Sequence, residues 1–185
     1  MMALEEEYLT IIKHQFKHLK ERAEKGIAQL TEEEIHWKPS EESNNIAIII
    51  KHLSGNMHSR WVDFLSTDGE KDYRDRDAEF VDDGHSMERL MQIWEQGWKL
   101  LFGTIENLQS SDLHKTVTLR QEPISVIQAI QTEISHISYH VGQILFIGKQ
   151  IKDKDWTILS IPKNGSLAFN EKVLEKNSLS KRGII

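Results

Sequence analysis

A chain of 185 residues is near the usual size of one domain and can bury a substantial core without cross-links. It contains no Cys, which excludes a disulfide framework, a thiolate nucleophile and any Cys-based zinc or iron-sulfur site, so a metal would have to be held by His, Asp or Glu. The net charge of -6 and the scatter of Lys and Arg argue against a nucleic-acid partner, and no apolar run is long enough to span a bilayer.

The opening stretch from Met1 to Tyr8 carries three consecutive Glu and lacks the basic start and apolar run of a secretory signal. It predicts a soluble cytoplasmic protein. No repeat at a fixed period occurs, and the chain reads as helices separated by loops. A first helix is predicted from about Glu5 to Leu30, with Tyr8, Ile12, Phe16, Leu19, Ala23 and Leu30 on one core-facing stripe. Thr31-Glu32-Glu33-Glu34 then forms a capping-box pattern for a short turn, which Pro39-Ser40 interrupts.

Ser43, Asn44 and Asn45 are natural caps for a second helix from about Asn45 to Ser66. Its first turns, Ile46-Ala47-Ile48-Ile49-Ile50, are apolar all round, so neighbours should enclose it. That apolar surplus also makes it a candidate dimer interface. Residues Thr67 to Gly84 are dense in charge and read as a long polar connection. A third helix follows from about Ser86 to Leu108, with Met87, Leu90, Met91, Trp94, Trp98, Leu101, Ile105 and Leu108 at helical spacing.

Thr116 to Arg120 alternates β-formers as a short extended piece, and Pro123 suits the first position of a fourth helix reaching Gln150. Beyond Lys152 an irregular C-terminal tail is expected, with Trp156, Ile158, Leu159, Ile161 and Phe169 clipping it to the body and one helical turn near Glu171 to Glu175. A connection of about 18 residues stretches roughly 55 to 60 Å, whereas a twenty-residue helix is about 30 Å long. The third helix can therefore run parallel to the second, which makes a bundle with one long crossover. All of 1–185 then reads as a single all-α domain.

Nine His in this length raise the prior for metal or acid-base chemistry. Two His-x-x-x-His pairs occur, where chance would give roughly 0.4, so placement has to separate them. His14 and His18 project away from the apolar stripe of the first helix and look solvent-facing. His136 and His140 lie instead in the row Ala129, Glu133, His136, His140, Gln143, Ile147, on the flank of a wide apolar surface. Imidazoles so embedded lose hydration unless something binds them. Residues at i and i+4 point the same way from adjacent turns, so both rings can reach one metal ion. Two core His satisfied by carbonyls or hydroxyls is the alternative. A third ligand would come from His52 or His58; helical phase does not choose between them, although His52 follows the all-apolar turns and is the better enclosed.

These residues resemble the DinB/YfiT superfamily, four-helix bundles whose second helix supplies one His and whose fourth supplies a His-x-x-x-His pair. The matching segments are Ile49-Ile50-Lys51-His52-Leu53-Ser54-Gly55-Asn56-Met57 and Ser135-His136-Ile137-Ser138-Tyr139-His140-Val141-Gly142-Gln143-Ile144. Leu30 to Pro39 resembles the superfamily's link between helices one and two. Ser59-Arg60-Trp61, Asp68-Gly69-Glu70-Lys71 and Trp156 to Pro162 resemble a branch of unassigned function. The resemblance implies a DinB-like four-helix bundle with the long crossover between helices 2 and 3. It also implies one divalent ion, nickel or zinc, on His52, His136 and His140, and a homodimer. Some members are thiol S-transferases that use bacillithiol or mycothiol; others resemble metal-dependent hydrolases or isomerases. His14 and His58 have no part in the shared motif.

Three neutral His leave an ion its full charge and an open position, the pattern of catalytic sites. Such an ion lowers the pKa of a bound water or thiol, which points to a small-molecule thiol attacking an electrophile. A hydrolase would need a proton carrier, for which Glu133 is the candidate, with a role as an outer carboxylate the alternative. Asn56 and Arg60 follow His52 at four-residue steps. Arg60 is a candidate to hold a substrate carboxylate as a bidentate pair, or else it makes a salt bridge to the charged loop. Gln143 can support a ligating His or fill a core gap. The competing readings are a non-catalytic bundle that binds a metal or small ligand, and a structural ion that ties helices two and four together.

Overall fold

Leu9, Ile12, Phe16, Ala23 and Ile27 recur at helical spacing, and in the computed structural model, which describes residues 3–181, they form the buried stripe of α1 (Leu4–Ile27). The helix stops three residues short of the expected Leu30, which stays buried in the turn beyond it. The Thr31 capping box is formed: Thr31 Oγ1 accepts from Glu34 N while Glu34 accepts from Thr31 N, and it starts the single turn α2 (Glu32–Ile35).

Asn45 caps α3 (Ile46–Trp61) by accepting from Ile48 N at 2.9 Å. Ile46, Ala47, Ile48, Ile49 and Ile50 are all buried within the one chain, so the apolar surplus of this helix is spent on the core and is not available as a dimer face. The helix ends at Trp61 instead of Ser66. Val62 is extended, Asp63 takes φ 48°, and Ser66 and Thr67 donate back to Asp63 O in a closing turn.

The charged connection contains one turn of helix, α4 (Arg76–Glu79), capped by Asp75. It leads to α5 (Met87–Asn107), whose Leu90, Trp94, Trp98, Leu101 and Ile105 are buried. Because the crossover is long, α5 runs parallel to α3: Ser54 Oγ donates to Ile93 O midway along α3, and Thr104 Oγ1 donates to Trp61 O at its C-terminal end. Gly97 permits the approach, since a Cβ there would lie 2.9 Å from Ser54 Cα.

The chain next departs from expectation. Thr116 to Leu119 is extended as predicted, but it pairs as β1 (Thr116–Leu119) with an antiparallel β2 (Glu122–Ser125) in which Pro123 faces Thr118. A two-residue turn makes this possible, with Arg120 and Gln121 both at positive φ. Asp68 secures it by accepting from both of their backbone N–H groups at 2.8 and 2.7 Å. Pro is tolerated because both strands of a two-stranded sheet are edges. Ser125, not Pro123, therefore opens the last long helix, accepting from Gln128 N as the cap of α6 (Val126–Lys152).

The helix α6 runs parallel to α1, from Gln131 beside Tyr8 to Leu145 beside Gly26, and antiparallel to α3. Side chains of α1, α3, α5 and α6 make one continuous buried cluster. After it, Trp156 is buried, Gln29 brackets Thr157 with two hydrogen bonds and Arg22 of α1 donates to Leu159 O, so the tail is fastened to α1 and the turn that follows it. Ile158, Ile161 and Phe169 stay exposed and make no such clip. Where an irregular end was expected, α7 (Ser166–Lys181) forms, with every described side chain from 166 to 175 exposed. No helix among the described residues is long and apolar enough to cross a membrane.

Candidate metal centre

The antiparallel packing of α3 on α6 sets His52 opposite His136 and His140. The apolar turns of α3 carry His52 into the interior, and the i, i+4 spacing on α6 stacks the other two rings on one face. Ligand atoms of the three imidazoles all lie within 4.8 Å of one another, and the three residues are 5 %, 9 % and 6 % exposed. His52 Nε2 and His136 Nε2 are 3.0 Å apart.

The outer ring nitrogens show that this donor set suits a cation. His52 Nδ1 lies 2.9 Å from Glu79 Oε2 and His140 Nδ1 lies 2.8 Å from Gln143 Oε1. Each of these oxygens is an acceptor only, so each Nδ1 carries a proton, and in the neutral ring Nε2 then presents a lone pair. His136 Nδ1 is buried without a hydrogen-bond partner and lies 3.9 Å from Glu133 Oε1. Without a cation, a neutral His136 donates its Nε2 proton to His52 Nε2, which turns the bare Nδ1 lone pair toward a carboxylate. With a cation on Nε2, the proton moves to Nδ1 and faces Glu133 favourably. Burial, reinforced by the neighbouring His136 and His52, pushes the His140 pKa down to about 4, which keeps it neutral and able to ligate near pH 7.

Two carboxylates flank the cluster, and each is matched by an Arg. Arg74 donates to Glu79 through Nε at 2.8 Å and Nη2 at 2.9 Å. Burial pushes the Glu79 carboxyl up, yet the hydrogen bonds with His52 and Arg74 outweigh it and hold it below its ordinary value. Glu133, fully buried, accepts from Arg60 Nη1 at 3.1 Å. With the Asn56 amide assigned so that its nitrogen faces inward, Asn56 donates to both Glu133 oxygens at 3.0 Å. Neither pair leaves a net charge, so the cluster stays neutral apart from whatever the imidazoles bind. A cleft of about 480 Å³ opens beside His136, lined by Arg60, Gln131, Thr132, Ser135 and Tyr139. A groove of about 590 Å³ between α1 and α5 includes none of the three His.

Of the other sequence-derived candidates, His14 and His18 are exposed. His58 is half-buried and donates from Nδ1 to Ser54 O at 3.0 Å, outside the cluster. Arg60 finds its partner on α6 and not among the loop's Asp residues. Glu133 stands behind His136 and outside the cleft lining, while Gln143 touches His140. The sequence reading missed Glu79, Arg74 and Phe80, whose ring lies 4.7 Å from that of His52. One signal was present: Gly55, three residues after His52, where a Cβ would come within 2.2 Å of Glu79 Oε1. A glycine in mid-helix costs about 1 kcal/mol, and at Gly55 the space it leaves is taken by the Glu79 carboxylate.

The model of a family described as "Protein of unknown function (DUF1572)" matches residues 3–165. No curated protein matches the chain.

Proposed function

We propose that the chain, which belongs to the DUF1572 family, holds one divalent metal ion, nickel or zinc, on His52, His136 and His140 and is an enzyme that transfers a small-molecule thiol to an electrophile. The observation that carries this reading is the convergence of three imidazoles, two of them with Nδ1 committed to an acceptor and Nε2 turned to a common point. When bound by three protein ligands, such an ion keeps an open position and lowers the pKa of a thiol or water there, so that a nucleophile exists near neutral pH.

The chain's own residues favour thiol transfer over hydrolysis. A hydrolase needs a proton carrier beside the attacking water; Glu133 is instead sealed behind His136 by Arg60 and Asn56, and no carboxylate lines the cleft. A thiol loses its proton to solvent, its sulfur forms the new S–C bond, and the bond broken at the electrophilic carbon sends its electron pair with the leaving group, which takes a proton from solvent. Arg60 spends one N–H on Glu133 and keeps donors at the cleft for a substrate carboxylate, which suits a bacillithiol-type thiol. The crossover from α3 to α5 supports the DinB/YfiT resemblance, from which the thiol and a homodimer also come; the cytoplasmic setting is an expectation from the sequence alone.

The test is elemental analysis of the purified protein beside a His136→Ala/His140→Ala variant, followed by thiol-transfer assays with a His52→Ala control. One divalent ion per chain, lost in the double variant, is expected. No metal in either, even after zinc or nickel is added, would overturn the reading.

A further inference from the structure

We infer that Glu79, clamped by Arg74, is the positioning residue for His52, so that the crossover segment between α3 and α5 is a working part of the metal centre. This rests on the metal-binding reading above and deepens it. A neutral imidazole has one N–H, and whichever nitrogen holds it cannot ligate. The Glu79 carboxylate, 2.9 Å from His52 Nδ1, draws the proton to that side and leaves Nε2 bare toward His136 and His140. Hydrogen-bonded carboxylates play this part behind many metal-ligating His.

Three further observations favour a positioning role over a loop ion pair of no consequence. Arg74 and Glu79 side chains are only 5 % and 9 % exposed, and a desolvated ion pair is a poor way to gain stability alone. Gly55 of α3 leaves the space that Glu79 Oε1 enters, since a Cβ there would sit 2.2 Å from that oxygen. The next residue, Phe80, lays its ring 4.7 Å from the His52 ring, with Arg76 4.8 Å above Phe80. Two consecutive loop side chains thus fix one imidazole, the first by its proton and the second by its plane.

The experiment measures zinc affinity by competition with a chromophoric chelator for wild type, Glu79→Ala, Gly55→Ala and the double variant. It is paired with nitrogen NMR of the His52 ring in the zinc-free proteins. Glu79→Ala is expected to weaken zinc binding by about 10- to 100-fold and to shift His52 away from the Nδ1–H tautomer. Gly55→Ala, which favours the α3 helix but expels the Glu79 side chain, is expected to cost a similar factor. The double variant should be no worse than Glu79→Ala alone, because the two changes remove one interaction. Unchanged zinc affinity in both single variants, or effects that simply multiply in the double one, would overturn the inference. If wild type itself takes up neither zinc nor nickel, the metal reading fails, and the His52 tautomer in Glu79→Ala still decides whether Glu79 sets the ring: an unmoved tautomer sinks the inference too.

Discussion

Arg60 and Glu133 pair at 3.1 Å across the α3–α6 interface, and the carboxylate is completely shielded from solvent. Removing one member of such a pair is expected to cost more than the pair contributes, because the partner remains buried and uncompensated. Arg60→Met should lower stability by about 3 kcal/mol in urea denaturation. Adding Glu133→Gln, which lets Asn56 keep an uncharged partner, should recover much of that loss. A double variant as unstable as the sum of the two single variants would show that the charges do not interact.

The close contact of Gly97 with Ser54 sets up a contest between propensity and packing. Alanine in place of an interior helical glycine gains about 1 kcal/mol, but the added methyl would meet Ser54 Cα at 2.9 Å. Overpacking costs about 1 to 3 kcal/mol, and the obstacle is backbone, which cannot rotate aside. Gly97→Ala is therefore expected to destabilise the protein and lower its melting temperature. At Gly103, on the same helix and with nothing within 4 Å of its Cβ position, the same change should raise it.

How much of this was legible in the sequence depends on whether the signal is local. His136 and His140 could be read because a single helix places them in an apolar row, and His52 because five apolar residues precede it. Glu79 could not, since it lies among many acidic residues between Thr67 and Gly84 and only the folded crossover shows which one is buried. The β1–β2 hairpin was hidden for a related reason. Its turn residues, Arg120 and Gln121, are poor choices for left-handed backbone, which costs about 1 to 2 kcal/mol per residue. Their support comes from Asp68, far away in sequence. The helix α7 gave no periodicity to detect because its described side chains bury no face.

Asp82 ties the crossover to the start of α3 and should make stability depend on acid. Its carboxylate accepts from the His36 ring, from Asn45 Nδ2 and from Gly84 N. Partial burial pushes its pKa up, but these bonds outweigh that and hold it below its ordinary 3.8. A carboxylate with a folded pKa below its unfolded one adds stability above the unfolded value and loses it as pH falls through the folded value. The melting-temperature gap between wild type and Asp82→Asn should thus close progressively as pH falls from about 5 into more acidic buffer. A gap that widens with acid would contradict this assignment.

Zinc should stabilise the fold through His52, His136 and His140, because a ligand that binds only the native state raises stability by mass action. The unfolded chain offers the same imidazoles but not their convergence, which α3 and α6 create only when packed antiparallel. At 100 times the dissociation constant the gain is about 2.7 kcal/mol, and each kcal/mol raises the melting temperature of a chain this long by roughly 2 to 4 °C. A rise of about 5 to 10 °C is therefore expected by differential scanning fluorimetry. Magnesium should give no comparable shift, because it prefers oxygen ligands and sheds its waters reluctantly. His136→Ala/His140→Ala should abolish the zinc effect, with circular dichroism of the metal-free variant checking that it remains folded. Equal shifts in wild type and the double variant would place the bound zinc on other residues.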